Sequence, residues 1–290
     1  MTRSQFISLC SLAVLCAASA AAGAQQPASA AGKRQSFKDR FFAHNAVMAN
    51  LQPAWPTPLV ESEPRLTQYY RFAFSNQYTS SGTQTVGYGN GRGGGIVAWN
   101  RFEFDADPPG YVQHNTPTSA DGFGDTALLM KLRLFSADAD HGNYIATFLL
   151  ARTFPTGSHS NGAPTGVWAP TLAGGKGITR RIDVETSLGG SLPTGKIAKQ
   201  GRSIAWNALT QIHTSRSTWL EFENNALYFV GGPHDGQMQN FVTPAAFYIY
   251  RPPEWKPTHP FLVFTTGMQI ATSHFHTYNH NFIGEMRILF

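Results

Sequence analysis

Three groups of residues have types and spacings that chemistry could use. His274, His276 and His280 lie in the run His-Phe-His-Thr-Tyr-Asn-His. Residues two apart on a strand face the same side, so the first two could share a metal ion. His280 is too far along, no carboxylate stands near enough to complete a ligand set, and three exposed loop histidines are the expectation. His213 stands two residues before Ser215, but neighbours at a turn do not make a nucleophile, a base and an orienting acid. The glycine-rich run Gly87 to Gly95 lacks the Lys-Ser/Thr ending and the helix of a phosphate loop, and reads as a link between strands. The sequence therefore points to no enzyme, no metal site and no cofactor.

The remaining charged residues are spaced singly, and that spacing is informative. In Ile182 to Leu192, the residues Ile182, Val184, Thr186, Leu188, Gly190 and Leu192 fall on one side of an extended chain, and Asp183, Glu185, Ser187, Gly189 and Ser191 on the other. A helix would mix the two sets around its circumference. Thr126 to Phe135 repeats the pattern, with Lys131 and Arg133 opposite Leu128, Met130, Leu132 and Leu134. Alternation of this kind suits a wall with lipid on one side and a polar interior on the other. Carried along the chain, it gives lumen-lining candidates: Asp125, Lys131, Arg133, Asp183, Glu185, Asn207, Gln211, His213, Glu221, Glu223, Gln269, Glu285 and Arg287. Charges of both signs inside a barrel either pair to brace the wall or line a watery path; the sequence leaves both open.

The elements that would position these residues are strands of about ten residues, the length a tilted strand needs to cross a bilayer. The alternation predicts twelve, near 66–77, 83–89, 95–105, 122–135, 144–154, 167–178, 181–193, 202–213, 218–230, 240–250, 261–272 and 277–290. The second could equally belong to one long loop over Gly82 to Gly95. The links are expected to alternate between short and long, which puts the C-terminus in the periplasm and loops such as Pro155 to Gly166 outside. The long Arg251 to Pro260 link breaks that rule.

Composition agrees. Charged residues are 13% of the 290, aromatics 13%, and there are 28 glycines; the charged share is about half that of a soluble domain. Mean hydropathy is only −0.23, and beyond the N-terminus no stretch of eighteen apolar residues offers a membrane helix. The pI near 9.3 comes from scattered basic residues without interleaved aromatics, which argues against nucleic acid. The N-terminus has Arg3, an apolar run from Phe6 to Ala22, and Ala22-Gly23-Ala24, the pattern of a signal peptide cleaved after residue 24. A membrane anchor is the runner-up; a lipoprotein site at Cys16 is disfavoured by Leu15. Cys10 and Cys16 are the only cysteines and leave with the signal, so no disulfide supports the mature chain. Residues 25–65, rich in Ala, Gln and Pro with a short helix near Phe37 to Leu51, are expected to be a periplasmic extension or a partial plug, and 66–290 the barrel.

The last strand alternates Phe282, Gly284, Met286, Ile288 and Phe290 against Ile283, Glu285, Arg287 and Leu289. It resembles the C-terminal assembly signal of bacterial outer-membrane barrels, with Phe290 and Ile288 as its readable residues and the barrel-assembly machinery as its reader. Asp121-Gly122-Phe123-Gly124-Asp125-Thr126, then Lys131-Leu132-Arg133-Leu134, and the Pro-Thr-Gly sequences at Pro155 and Pro193 resemble the outer-membrane proteins of meta-pathway phenol degradation. That family shows a Gly-x-Gly-Asp strand start and a Lys-Tyr-Arg-Leu-like strand end; Leu132 replaces the Tyr. The match covers the central third. It implies a barrel that admits small molecules, hydrophobic or aromatic ones included, and carries over no catalytic residue. Asp125 is expected to bond backbone amides at the strand start.

The expectation is thus an all-β, antiparallel, up-and-down barrel of about twelve strands in a Gram-negative outer membrane. It would be porin-like, its partners being outer-membrane lipid, the assembly machinery and small solutes. The alternative is a structural or surface-interaction barrel with a closed lumen.

Overall fold

The structure, a computed structural model, describes residues 36–89, 93–159, 161–252 and 260–290. The signal-peptide expectation over 1–24 lies outside these residues. The chain divides into Met1–Phe37 and Lys38–Phe290, and every strand belongs to the second unit.

Alternation becomes strand along the chain. The elements are a helix α1 (Phe37–Ala49), then β1 (Tyr69–Tyr78), β2 (Gln84–Tyr88), β3 (Gly93–Trp99), β4 (Phe102–Asp107), β5 (Tyr111–His114), β6 (Gly122–Phe123), β7 (Thr126–Ala137) and β8 (Tyr144–Phe154). There follow β9 (Val167–Gly177), β10 (Ile182–Pro193), a single-turn helix α2 (Ile197–Gln200), β11 (Arg202–Ser215), β12 (Thr218–Val230), β13 (Met238–Tyr250), β14 (Phe261–Ala271) and β15 (His280–Leu289). Every pairing is antiparallel between neighbours, and β15 closes on β1 over Tyr69↔Leu289 to Tyr78↔His280. β1 pairs with β3 at one end and with β2 at the other, so β2 and β3 are one interrupted stave. β4 with β5, and β6 with β7, are interrupted in the same way. The result is a closed twelve-strand barrel. Closure leaves no unpaired edge, the condition for a sheet in lipid.

The number twelve agrees with the alternation, but the partition differs. The expected strand 95–105 is split by a turn at Asn100-Arg101, and its second half continues as β4 and β5. Gly93 and Gly94 belong to the wall, where a Cβ on either would meet neighbouring backbone. Two further irregularities have local causes. Proline gives no N–H to a ladder, and at Pro170 in β9 and Pro244 in β13 one of the two flanking ladders skips two residue pairs. A bulge between Arg133 and Phe135 turns Leu134 and Phe135 outward together.

The outer face is apolar. Ile96, Leu172, Leu188 and Phe222 are each more than half exposed, in a band no water-soluble barrel would present. Among the described residues no helix is long and apolar enough to cross a membrane. The links at the end where β1 starts and β15 finishes, here the terminus end, are mostly shorter than those at the opposite end; the link between β7 and β8 is about as long as that between β1 and β2 opposite, and Arg251 to Pro260 is long.

The inner face is not uniformly polar as alternation suggested. Near the terminus end Trp219, Ala245, Phe247 and Val263 form an inward apolar patch, covered by Leu59. Both faces of β13 are apolar there, so period two alone could not reveal it.

Candidate functional site

Twelve strands enclose a wider bore than eight, whose side chains suffice to fill the interior. Here the bore holds a piece of the same chain. α1 presents Phe41, Asn45 and Met48 on one face, at spacings of four and three. Phe41 packs edge-on against Phe290, Asn45 bonds Gln68, and Met48 is buried with Leu66 and Val97. Residues 50–68 then run into the ring and return to β1, broken by Pro53, Pro56, Pro58 and Pro64, which cannot join a ladder.

A chain with no ladder of its own must bond its backbone elsewhere, and the inner wall supplies the partners. Glu221 accepts from the Leu59 amide at 3.2 Å, and Glu223 from those of Val60 and Glu61, both at 2.9 Å. Gln211 donates to the Pro56 carbonyl at 3.1 Å, Arg287 to that of Pro58 at 2.9 Å, Lys131 to that of Arg65 at 3.2 Å, and Thr147 to that of Pro64. Glu103 accepts from the Thr67 amide at 2.5 Å. Near the terminus end, Gln52 exchanges two bonds with Leu66 and Ser136 donates to the Leu51 carbonyl. Two wall glycines make room: a Cβ on Gly175 would meet Trp55, and one on Gly267 would meet Leu59.

Charge is paired on one side of the bore and unpaired on the other. Lys131 and Glu103 form an ion pair at 2.8 Å, both fully buried; Arg65 pairs with Glu63 at 2.6 Å, Arg71 with Asp107 at 3.4 Å, and Arg287 with Glu285. Opposite them the buried carboxylates of Asp183 and Glu185 have no hydrogen-bond partner among the described residues. Glu61, on the inner segment, is pushed up to about 8 by burial and by the charge of Glu223. Towards the opposite end the lining becomes neutral. Asn207 donates to Ser187 at 2.9 Å, Asn225 to Asn207 at 3.3 Å, and Tyr278 and Asn281 both bond Gln269.

The residues singled out from sequence fall in three places. Lys131, Arg133, Asp183, Glu185, Gln211, Glu221, Glu223, Glu285 and Arg287 are buried within the ring, most of them against the inner segment. Asn207 and Gln269 stand in the neutral zone. Asp125 and His213 stand at opposite rims. The Asp125 carboxylate accepts from the Gly157 and Ala163 amides, so it ties down the loop after β8 rather than its own strand start. His213 stacks on Trp219 with centroids 4.3 Å apart, while Ser215 bonds Thr218. His276 bonds Ser273 and Asn279, His280 stacks on Tyr78, and His274 is exposed. Among the described residues no group of three could hold a metal ion.

Sequence reasoning missed Glu103, Asp105, Asp107, Arg71 and Thr147 on the wall. It also missed Gln52, Glu61, Glu63 and Arg65 on the inner segment. The signal for the first group was present in Phe102-Glu103-Phe104-Asp105-Ala106-Asp107, which alternates well once the turn at Asn100-Arg101 is allowed. The segment's residues follow no period, because its fold is dictated by the wall.

No protein-family profile matches the sequence, and no curated protein does. Among solved structures, the fold is similar to the COG4313 outer membrane channel from Pseudomonas putida F1. The TM-score is 0.55 and the identity 12%, over 81% of this chain and all of that one. At this identity the likeness concerns the barrel fold. The KdgM porin in complex with disordered oligogalacturonate matches with a TM-score of 0.43 and 10% identity, over 78% of this chain and 99% of that one. The translocator domain of the autotransporter NalP from Neisseria meningitidis matches with 0.42 and 14%, over 87% and 95%. None of these names carries the phenol-degradation family.

Proposed function

We propose that the protein is an outer-membrane channel for small solutes, in which residues 50–68 restrict the bore as a partial plug. One observation carries the reading: the interior is filled by a segment that enters and leaves at the same end and is held largely by side-chain bonds to its backbone. Such a segment can be withdrawn without breaking a rung of the wall. The apolar outer band supports residence in lipid, and the sequence features of an exported chain favour the bacterial outer membrane as that lipid. Phe290 and Ile288 then serve assembly. The buried residues from Lys131 to Arg287 would line the path once the segment yields.

Passage of hydrophobic or aromatic solutes is supported by the inward apolar patch around Phe247 and by the motif resemblance. A permanently closed structural barrel has one observation in its favour, the buried Lys131–Glu103 pair bridged to the segment through Arg65 and Thr67. Uptake of radiolabelled benzoate and of ribose into proteoliposomes decides between them. A channel admits at least one faster than protein-free liposomes do; no gain for either, from protein that is folded, supports the closed barrel.

A further inference from the structure

Between α1, the base of the inner segment and the ends of β13 to β15 lies a cavity of about 950 Å³, at the upper end of the size range for small-molecule sites. It opens at the terminus end, away from the filled part of the bore. Phe42, Met48 and Trp55 line one side, and Ile249, Phe261 and Val263 the other.

Four arginines also reach it. Arg65 and Arg287 lie deep and are neutralised by Glu63 and Glu285. Arg216, in the turn after β11, and Arg251, after β13, stand at the rim, are exposed, and make no ion pair among the described residues. The Arg251 guanidinium is held 4.2 Å over the Phe261 ring, which fixes it at the border between the apolar wall and solvent. No Asp or Glu is among the described lining residues. An apolar hollow with two exposed guanidinium groups at its mouth, neither in an ion pair among the described residues, is complementary to one ligand class, an apolar or aromatic body ending in an anion that an arginine fork can grip.

We propose that this cavity binds a small amphipathic carboxylate, its hydrocarbon body on Phe261, Val263 and Trp55 and its carboxylate between Arg216 and Arg251. The site does not depend on conduction, so it stands or falls separately from the channel reading.

The test uses the full mature chain in phosphatidylcholine nanodiscs, titrated calorimetrically with 6-phenylhexanoate and with its uncharged counterpart, 6-phenylhexan-1-ol. The carboxylate is expected to bind at one site at least tenfold more tightly than the alcohol. In R216A/R251A the carboxylate should fall to the alcohol's affinity while the alcohol changes less than twofold. Both changes lie in exposed links, so folding should be kept, as checked by gel mobility before and after boiling. In a second variant, A49W, a bulky ring fills the cavity and both ligands should be lost. Binding of the carboxylate no tighter than that of the alcohol overturns the proposal, as does a preference that survives in R216A/R251A, or the absence of saturable binding.

Discussion

Lys131 shows what the interior demands of single residues. It is buried against Glu103 and bonded to the Arg65 carbonyl, so Lys131→Met leaves the Glu103 carboxylate without its cation. Removing one partner of a buried pair costs about 3–5 kcal/mol. The double variant K131M/E103Q, which leaves no charge behind, should recover much of that loss. Urea unfolding in detergent micelles, followed by tryptophan emission, checks both values; equal loss in the two variants would mean that the charge pair is not the cause. Glu61 gives a pH dependence. Its pKa when docked is raised from 4.5 to about 8 by burial and by Glu223, so the docked segment binds more protons than the released one. Docking is therefore strongest below the ordinary carboxylate range and weakens as pH climbs towards about 8. Protease cleavage within residues 52–66 should quicken from pH 5 to pH 8.5, and this rise should disappear in Glu61→Gln. A rate that falls with pH would reverse the assignment.

At the scale of the strand, β10 is the sharpest case. Leu188 is 60% exposed on the outer face, while Ser187 is buried and bonded to Asn207. Leu188→Arg sets a charge in the lipid band and should cost about 2–4 kcal/mol. Ser187→Arg, its side chain directed into the bore beside Glu61, should cost less than Leu188→Arg. Unfolding of each variant from lipid vesicles measures the difference; the opposite order would shift the register by one residue and reverse the two faces. Such strands were legible in the sequence because lipid and interior impose opposite demands on neighbours. Around Asn100-Arg101 the period continues through a two-residue turn, so β3 and β4 fuse when read by alternation alone. At Phe247 both faces are apolar and the period vanishes. The path of residues 50–68 was illegible for a different reason: it is set by Glu221, Glu223, Lys131 and Gln211, residues far away in sequence.

For the whole molecule, wall and filling are separable. The wall closes through β15 and β1 without help from residues 50–68, whereas the segment depends on the wall for most of the backbone bonds it makes. Loss of the segment should therefore open the bore while leaving the barrel folded. The most direct measurement is single-channel conductance in planar bilayers, comparing residues 25–290 with a variant of them in which residues 51–66 are replaced by a short Gly-Ser linker. A restricted channel gives low or intermittent conductance for the intact chain and a steady conductance at least several-fold larger for the variant, with both migrating as folded barrels before boiling. A variant that is folded by the same criterion yet conducts no more than the intact chain would contradict the channel reading and leave a barrel whose interior serves structure alone.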